Sequence, residues 1–147
     1  MQGMTAGITA AGQPVGGGAW NILGQTYHLK AETESCFIFE TLFPPGTFVP
    51  PHIHPTQDEF IYVLEGRFDL ELDGKPEQAG PGDLVRLPRN IPHGIFNNTE
   101  APVKAVFWVT PARSLRRLFE SIHNLTDKEE VVRISAEHEV NFLPPPA

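Results

Sequence analysis

The sequence predicts an all-β fold, a barrel or sandwich, on three observations. Short apolar runs recur about every ten residues between Asn21 and Val109, the spacing of short strands joined by turns. Between them stand Pro and Gly, 15 and 13 of the 147 residues, spread as punctuation rather than gathered in one segment. Asp73-Gly74 sits between two such runs and is a strong two-residue hairpin signal, because both residues tolerate positive φ.

Each element follows from local pattern. Thr26 to Ala31 alternates loosely, and Ser35 to Phe43 is rich in Phe and Ile up to the turn Pro44-Pro45-Gly46. Phe60 to Leu64 is a short apolar run ending at Glu65-Gly66. From Arg67 to Leu72, Phe68, Leu70 and Leu72 share one face, and Arg67, Asp69 and Glu71 the other. Leu84 to Leu87, Ile95-Phe96 and Val103 to Val109 complete the strands. At Thr110-Pro111 the period changes: Thr110 suits a helix cap, Pro111 its first turn, and Leu115, Leu118, Phe119 and Ile122 recur at helical spacing as a packing face. Thr126 with Glu129 reads as a capping box for a second short helix. Leu143-Pro144-Pro145-Pro146 continues neither a helix nor a central strand. Residues 1–18, rich in Gly, Ala and Thr, read as a flexible N-terminal arm: a disordered end, or a strand that docks on a partner subunit. Residues 19–147 read as one barrel domain with C-terminal helices.

Composition narrows the partners. Net charge is −7 and the pI about 5.3, so no nucleic acid is expected against this surface. No apolar run approaches the roughly 20 residues of a membrane helix, and no membrane partner is expected. The start of the chain has neither a basic region nor an apolar core, and Cys36 is the single cysteine; both fit a cytoplasmic protein. Cys36 reads as a small buried hydrophobe on a strand lining the barrel. Asn97-Asn98-Thr99 and Asn124-Leu125-Thr126 match the glycosylation pattern by chance.

The chemistry gathers in two blocks. The first runs Gly46, Pro50-Pro51-His52-Ile53-His54, then Glu59 and Gly66. In a strand His52 and His54 point the same way and Ile53 the other. Glu59 is an odd number of residues beyond His54; a break at Pro55-Thr56-Gln57 resets the face, and Glu59 opens the next strand with Ile61 and Val63 beside it. The second block holds Gly82, Pro88, Asn90, His93 and Asn97, with His93 at the start of a strand after a tight turn. His52, His54, Glu59 and His93 are the candidate ligands of one divalent transition metal, Fe, Mn, Ni, Cu or Zn, since imidazole and carboxylate suit all five. A salt-bridged carboxylate is the plainer role for Glu59, and an empty barrel the plainer role for the set. His28, His123 and His138 have no companions at ligand spacing. Gln57 and Asp58 read as solvated loop residues.

The two blocks resemble the paired motifs of the cupin family. Gly46, His52, His54, Glu59 and Gly66 match the first motif, and Gly82, Pro88, His93 and Asn97 the second. Asn90 stands where the family has glycine, and asparagine tolerates the left-handed turn. With Thr110-Pro111-Ala112 and Leu118-Phe119-Glu120, the chain is similar to small single-domain cupins of the quercetin dioxygenase type. The resemblance implies a double-stranded β-helix, or jelly-roll barrel, and usually a homodimer. It implies a metal-dependent dioxygenase or other oxidoreductase acting with O2 on a small enolic or flavonol-like aromatic substrate, with Glu59 as ligand and catalytic base. Phe37, Phe39, Phe60, Ile61, Phe96, Phe107 and Trp108 are candidate wall residues, of which alternation turns only some inward. A non-enzymatic small-molecule-binding cupin and a metal-dependent isomerase or lyase are the alternatives.

Overall fold

The structure, a computed structural model, describes residues 4–144. The described strands are β1 (Ala19–Ile22), β2 (Gln25–Glu32), β3 (Phe37–Phe43), β4 (Phe48–Ile53), β5 (Asp58–Glu65), β6 (Phe68–Leu72), β7 (Lys75–Ala79), β8 (Leu84–Leu87), β9 (His93–Phe96), β10 (Val103–Thr110) and β11 (Asn141–Phe142). The helices are α1 (Leu115–Ile122) and α2 (Lys128–Glu137). They form an all-β cupin double-stranded β-helix. One sheet runs β1-β2-β3-β10-β5-β8 and the other β11-β4-β9-β6-β7, with every pair antiparallel.

Alternation decides what lies between the sheets. Along β3 and β10, Phe37, Phe39, Phe43, Val103, Ala105, Phe107 and Val109 are buried. Leu115, Leu118, Phe119 and Ile122 are buried as the expected stripe, and α1 closes one end of the barrel. Phe119 meets Trp20, Tyr27, Phe37 and Phe39 at ring-centroid distances of 5.0–5.8 Å, so one helical residue joins the helix to three strands. Of the seven candidate wall residues, Phe37, Phe39, Ile61 and Phe107 face inward. Phe60, Phe96 and Trp108 are only half-buried, and Phe60 and Trp108 stack on each other at 5.3 Å outside the core.

Glycine and asparagine sit where backbone sterics demand them. Gly66 has φ +81°, and a Cβ there would lie 2.8 Å from the Pro102 carbonyl oxygen. Asn90 has φ 69°, which keeps the turn ahead of His93 where the motif has glycine. Asn97 is fully buried and donates to the carbonyls of Phe43 and Ala101, a structural role that leaves nothing to glycosylate.

The structure corrects several local expectations. Thr110 ends β10 rather than capping a helix, and Ser114 precedes α1 without a side-chain cap. Asp127, not Thr126, caps α2, accepting from the Glu129 and Glu130 amides. Cys36 is half-buried ahead of β3, outside the barrel lining. Within the expected arm, the Val15 amide donates to Leu29 O at 2.8 Å and the Leu29 amide to Gly18 O at 2.7 Å. Thr9 Oγ1 donates to Lys30 O at 2.8 Å, so this segment lies along the chain's own β2. Residues 1–3 of the arm and Pro145-Pro146 of the tail lie outside the described residues.

Candidate metal centre

The three histidines and the glutamate come together at the end of the barrel where the two sheets meet. His52 and His93 are register partners on β4 and β9 of one sheet, and Glu59 is the second residue of β5 in the other. Pro50 and Pro51 fall in the register shift between Val49 and His52, where a strand tolerates proline. His54 lies just past β4, and the break before Asp58 resets the face as the spacing predicts. All four side chains are buried, and one ligand atom from each lies within 4.8 Å of every other.

Hydrogen bonding fixes which nitrogen each imidazole presents. His52 Nδ1 is 2.9 Å from the Pro50 carbonyl oxygen and His93 Nδ1 is 3.2 Å from that of Ile91. A carbonyl oxygen only accepts, so each Nδ1 carries a proton and each Nε2 is the nitrogen turned toward the centre. His54 Nδ1 is 3.0 Å from Gln57 Oε1. The Gln57 amide nitrogen donates to the carbonyls of Pro111 and Ala112 at 3.0 and 2.9 Å, which fixes its orientation and makes Oε1 the acceptor for His54. Gln57 is therefore a buried outer support of the centre, not the solvated loop residue expected from sequence. Asp58 is the residue of that pair at the surface, bound to Arg89 at 3.2 Å. The loop between is tied down from outside: Thr56 donates to Glu139, which Arg113 holds at 3.0 Å.

The arrangement fits a cation. His54 Nε2 and His93 Nε2 face the Glu59 carboxylate at 3.6 and 3.4 Å, and these two nitrogens and Glu59 Oε2 are buried without a hydrogen-bond partner. Buried polar atoms that lack a hydrogen-bond partner are costly. A divalent ion satisfies them, and His52, His54, Glu59 and His93 are the residues that would hold it.

Electrostatics agree with that assignment. Burial, then the charges of His93 and His54, hold His52 well below its ordinary value. Burial lowers His54 too, with Glu59 opposing. Burial raises Glu59, but His54 and His93 outweigh it and keep the carboxyl at about 2. At neutral pH His52 and His54 are neutral imidazoles and Glu59 is a carboxylate, the forms in which such groups bind a metal. The Tyr27 hydroxyl is pushed far up, first by burial and then by Glu59; it stays protonated and donates to Gln25 Oε1 at 2.9 Å. Stability follows with a definite sign. His52 and His54 take up protons below about 6.5 in the unfolded chain and not in the folded one, so their contribution is complete above that pH and lost as pH falls. The urea midpoint of metal-free protein is expected to drop between pH 7.5 and pH 5.5; a midpoint flat across that window contradicts the assignment.

The cavity at the centre is about 60 Å³, narrow and mostly apolar, with α1 and α2 over its open side. Tyr27, Phe39, Phe107, Phe119 and Phe142 line it, and no Lys or Arg does. Ligands of drug size occupy pockets of roughly 300 Å³ or more, so a three-ring flavonol exceeds this space. His28, His123 and His138 stand apart from the site, as expected. His123 Nδ1 accepts from the Asn21 amide at 2.8 Å, and His138 ends α2.

The topology is that of the cupin fold, and the four ligand residues converge within it. Residues 39–110 match the model of the family described as Cupin domain. The chain is 30% identical over 81 residues to Protein SchB of Streptomyces halstedii, covering 55% of this chain and 59% of that protein. It is 33% identical over 79 residues to Polyketide synthase CurC of Streptomyces cyaneus, covering 52% and 50%. It thus spans about half to three-fifths of these curated relatives. The solved structure of KdgF from Halomonas sp. superposes with a TM-score of 0.62 at 25% identity, covering 74% of this chain and 96% of that one.

Proposed function

We propose that the chain is a divalent-metal enzyme that oxidises a small enolic compound with O2. The observation that carries this reading is the convergence of three imidazole nitrogens and one carboxylate beside a mostly apolar cavity that His52, His54 and Glu59 line. A transition metal held there supplies a Lewis acid for an enol oxygen and, when redox-active, a route for electrons to O2. Glu59 would take the proton of the enol when its carboxylate shifts off the ion. Tyr27 keeps its own proton, so Glu59 is the base. The aromatic wall excludes water, and without a lining cation a phosphorylated substrate finds no partner. CurC carries polyketide synthase in its name, and polyketide chains hold 1,3-dicarbonyl units that enolise readily, which supports the same substrate class. The cavity favours a compound smaller than a flavonol.

Oxygen uptake tests the reading. With one equivalent of Fe(II), acetylacetone and 1,3-cyclohexanedione are expected to consume O2 in step with product. Turnover that continues unchanged under argon would make the chain an isomerase or lyase. Saturable binding without turnover would make it a binding module.

A homodimer belongs to the same proposal. On the outer face of β3, β10, β5 and β8, Leu42, Tyr62, Leu64 and Leu84 are 38–45% exposed, beside half-buried Ile38, Phe60, Val106 and Trp108. A contiguous apolar surface of this kind marks an interface. Glu40 on β3 and Arg86 on β8 flank it on opposite sides. A two-fold axis parallel to the strands brings Glu40 of one copy toward Arg86 of the other. Sedimentation equilibrium is expected to give a dimer for the native chain and a monomer for Tyr62→Arg; a native monomer at 100-micromolar concentration (roughly that of a weak complex) contradicts it.

A further inference from the structure

Only a thin wall separates the metal cavity from a second, outer groove. Leu23, Val131 and Phe142 line both. The groove has a volume of about 450 Å³ and runs between the β1–β2 turn, the start of β4 and the first turn of α2. That volume suits a ligand of drug size, which the inner cavity alone does not. Its apolar floor includes Phe48 and Val132, 41% and 43% exposed.

Two further observations mark the groove as more than a surface crease. Lys128 is its one lining cation. Its Nζ stands 5.9 Å from the centroid of the Phe48 ring and, among the described residues, has no carboxylate partner. The neighbouring acids are engaged elsewhere: Asp127 caps α2 and Glu130 binds Arg133 at 2.8 Å. Leu23, in the shared wall, is held in place by the two-residue β1–β2 hairpin turn, in which Leu23 and Gly24 both have positive φ, 53° and 86°. The Phe142 ring, also in that wall, lies 5.3 Å from the ring of His52.

We propose that this groove binds the body of an amphipathic carboxylate, with its carboxylate at Lys128 and its far end directed at the metal centre past Leu23 and Phe142. The far end rests on the functional reading above; the groove and Lys128 do not. This resolves the mismatch between a 60 Å³ inner cavity and an organic substrate, because only the reacting group has to enter the cavity.

The test is titration of the full-length protein, with and without one equivalent of Zn(II), using 2-naphthoate and neutral 2-naphthol. Saturable naphthoate binding is expected, with amide shifts at Gly24, Leu125 and Val132. Lys128→Glu is expected to weaken naphthoate about tenfold and leave naphthol unchanged, the signature of a charge-assisted contact. Val132→Trp, at an exposed position, fills the groove and is expected to remove both. No saturable binding, or binding that neither substitution alters, overturns the proposal. Groove binding in the zinc-free protein is independent of the metal, so failure of the metal reading leaves these results standing, and their failure leaves metal stoichiometry untouched.

Discussion

Alanine at His93 is expected to abolish tight metal binding while the barrel still folds. His93 is 1% exposed, pairs in register with His52 across β4 and β9, and presents Nε2 to Glu59 at 3.4 Å. Loss of an outer support of a metal ligand costs roughly 10–100-fold in affinity, so loss of the ligand itself is expected to exceed 100-fold. Truncation also leaves a void, which destabilises a core by about 2–4 kcal/mol. Part of that is offset in the metal-free protein, because the substitution removes a buried ring nitrogen that has no hydrogen-bond partner. The check is thermal unfolding with and without Zn(II). A ligand at 100 times its Kd stabilises by about 2.7 kcal/mol, so the native chain shifts upward and His93→Ala does not. An equal shift in both proteins removes His93 from the site.

Leucine at Gln57 is expected to damage stability and metal affinity together. The Gln57 amide is, among the described residues, the only side-chain donor to the Pro111 and Ala112 carbonyls, and its oxygen is the acceptor for His54 Nδ1. A leucine leaves His54 Nδ1 and the Pro111 carbonyl unmatched, at about 1–3 kcal/mol each, while the Ala112 carbonyl keeps the Leu115 amide at 3.3 Å. It also frees His54 to rotate or change tautomer, for a loss of roughly 10–100-fold in metal affinity. Gln57→Glu separates the effects, since the carboxylate still accepts from His54 but cannot donate to the two carbonyls. Affinity is expected to recover in part and stability not to recover. Urea unfolding and competition with a chelator measure the two. Affinity unchanged in Gln57→Leu contradicts the role assigned to it.

What was legible in the sequence is local or periodic. The pairing of His52 with His54 follows from the two-residue repeat of a strand, and the reset before Glu59 from Pro55. The left-handed turn at Asn90 and the buried face of α1 were readable in the same way. Gln57 was not, because its partners come from His54 and from the β10–α1 connection more than 50 residues away. A polar residue in a short loop carries no mark of such burial. Nor does Lys75–Ala79 look like a strand: it is an edge, exposed except at Ala79, held by pairing with β6 rather than by an apolar pattern. The size of the cavity depends on where two helices and Phe142 settle over the barrel. For that reason the flavonol-sized ligand suggested by resemblance does not fit the space the fold provides.

The central claim is that His52, His54, Glu59 and His93 hold one divalent ion. Metal content per chain, measured by mass spectrometry on gently purified protein beside His52→Ala, tests it most directly. One equivalent of a transition metal in the native chain, lost in the variant, is the predicted result. A native chain that stays metal-free after anaerobic reconstitution with Fe(II), Mn(II) and Zn(II) would contradict it, and the oxidative function would fall with it.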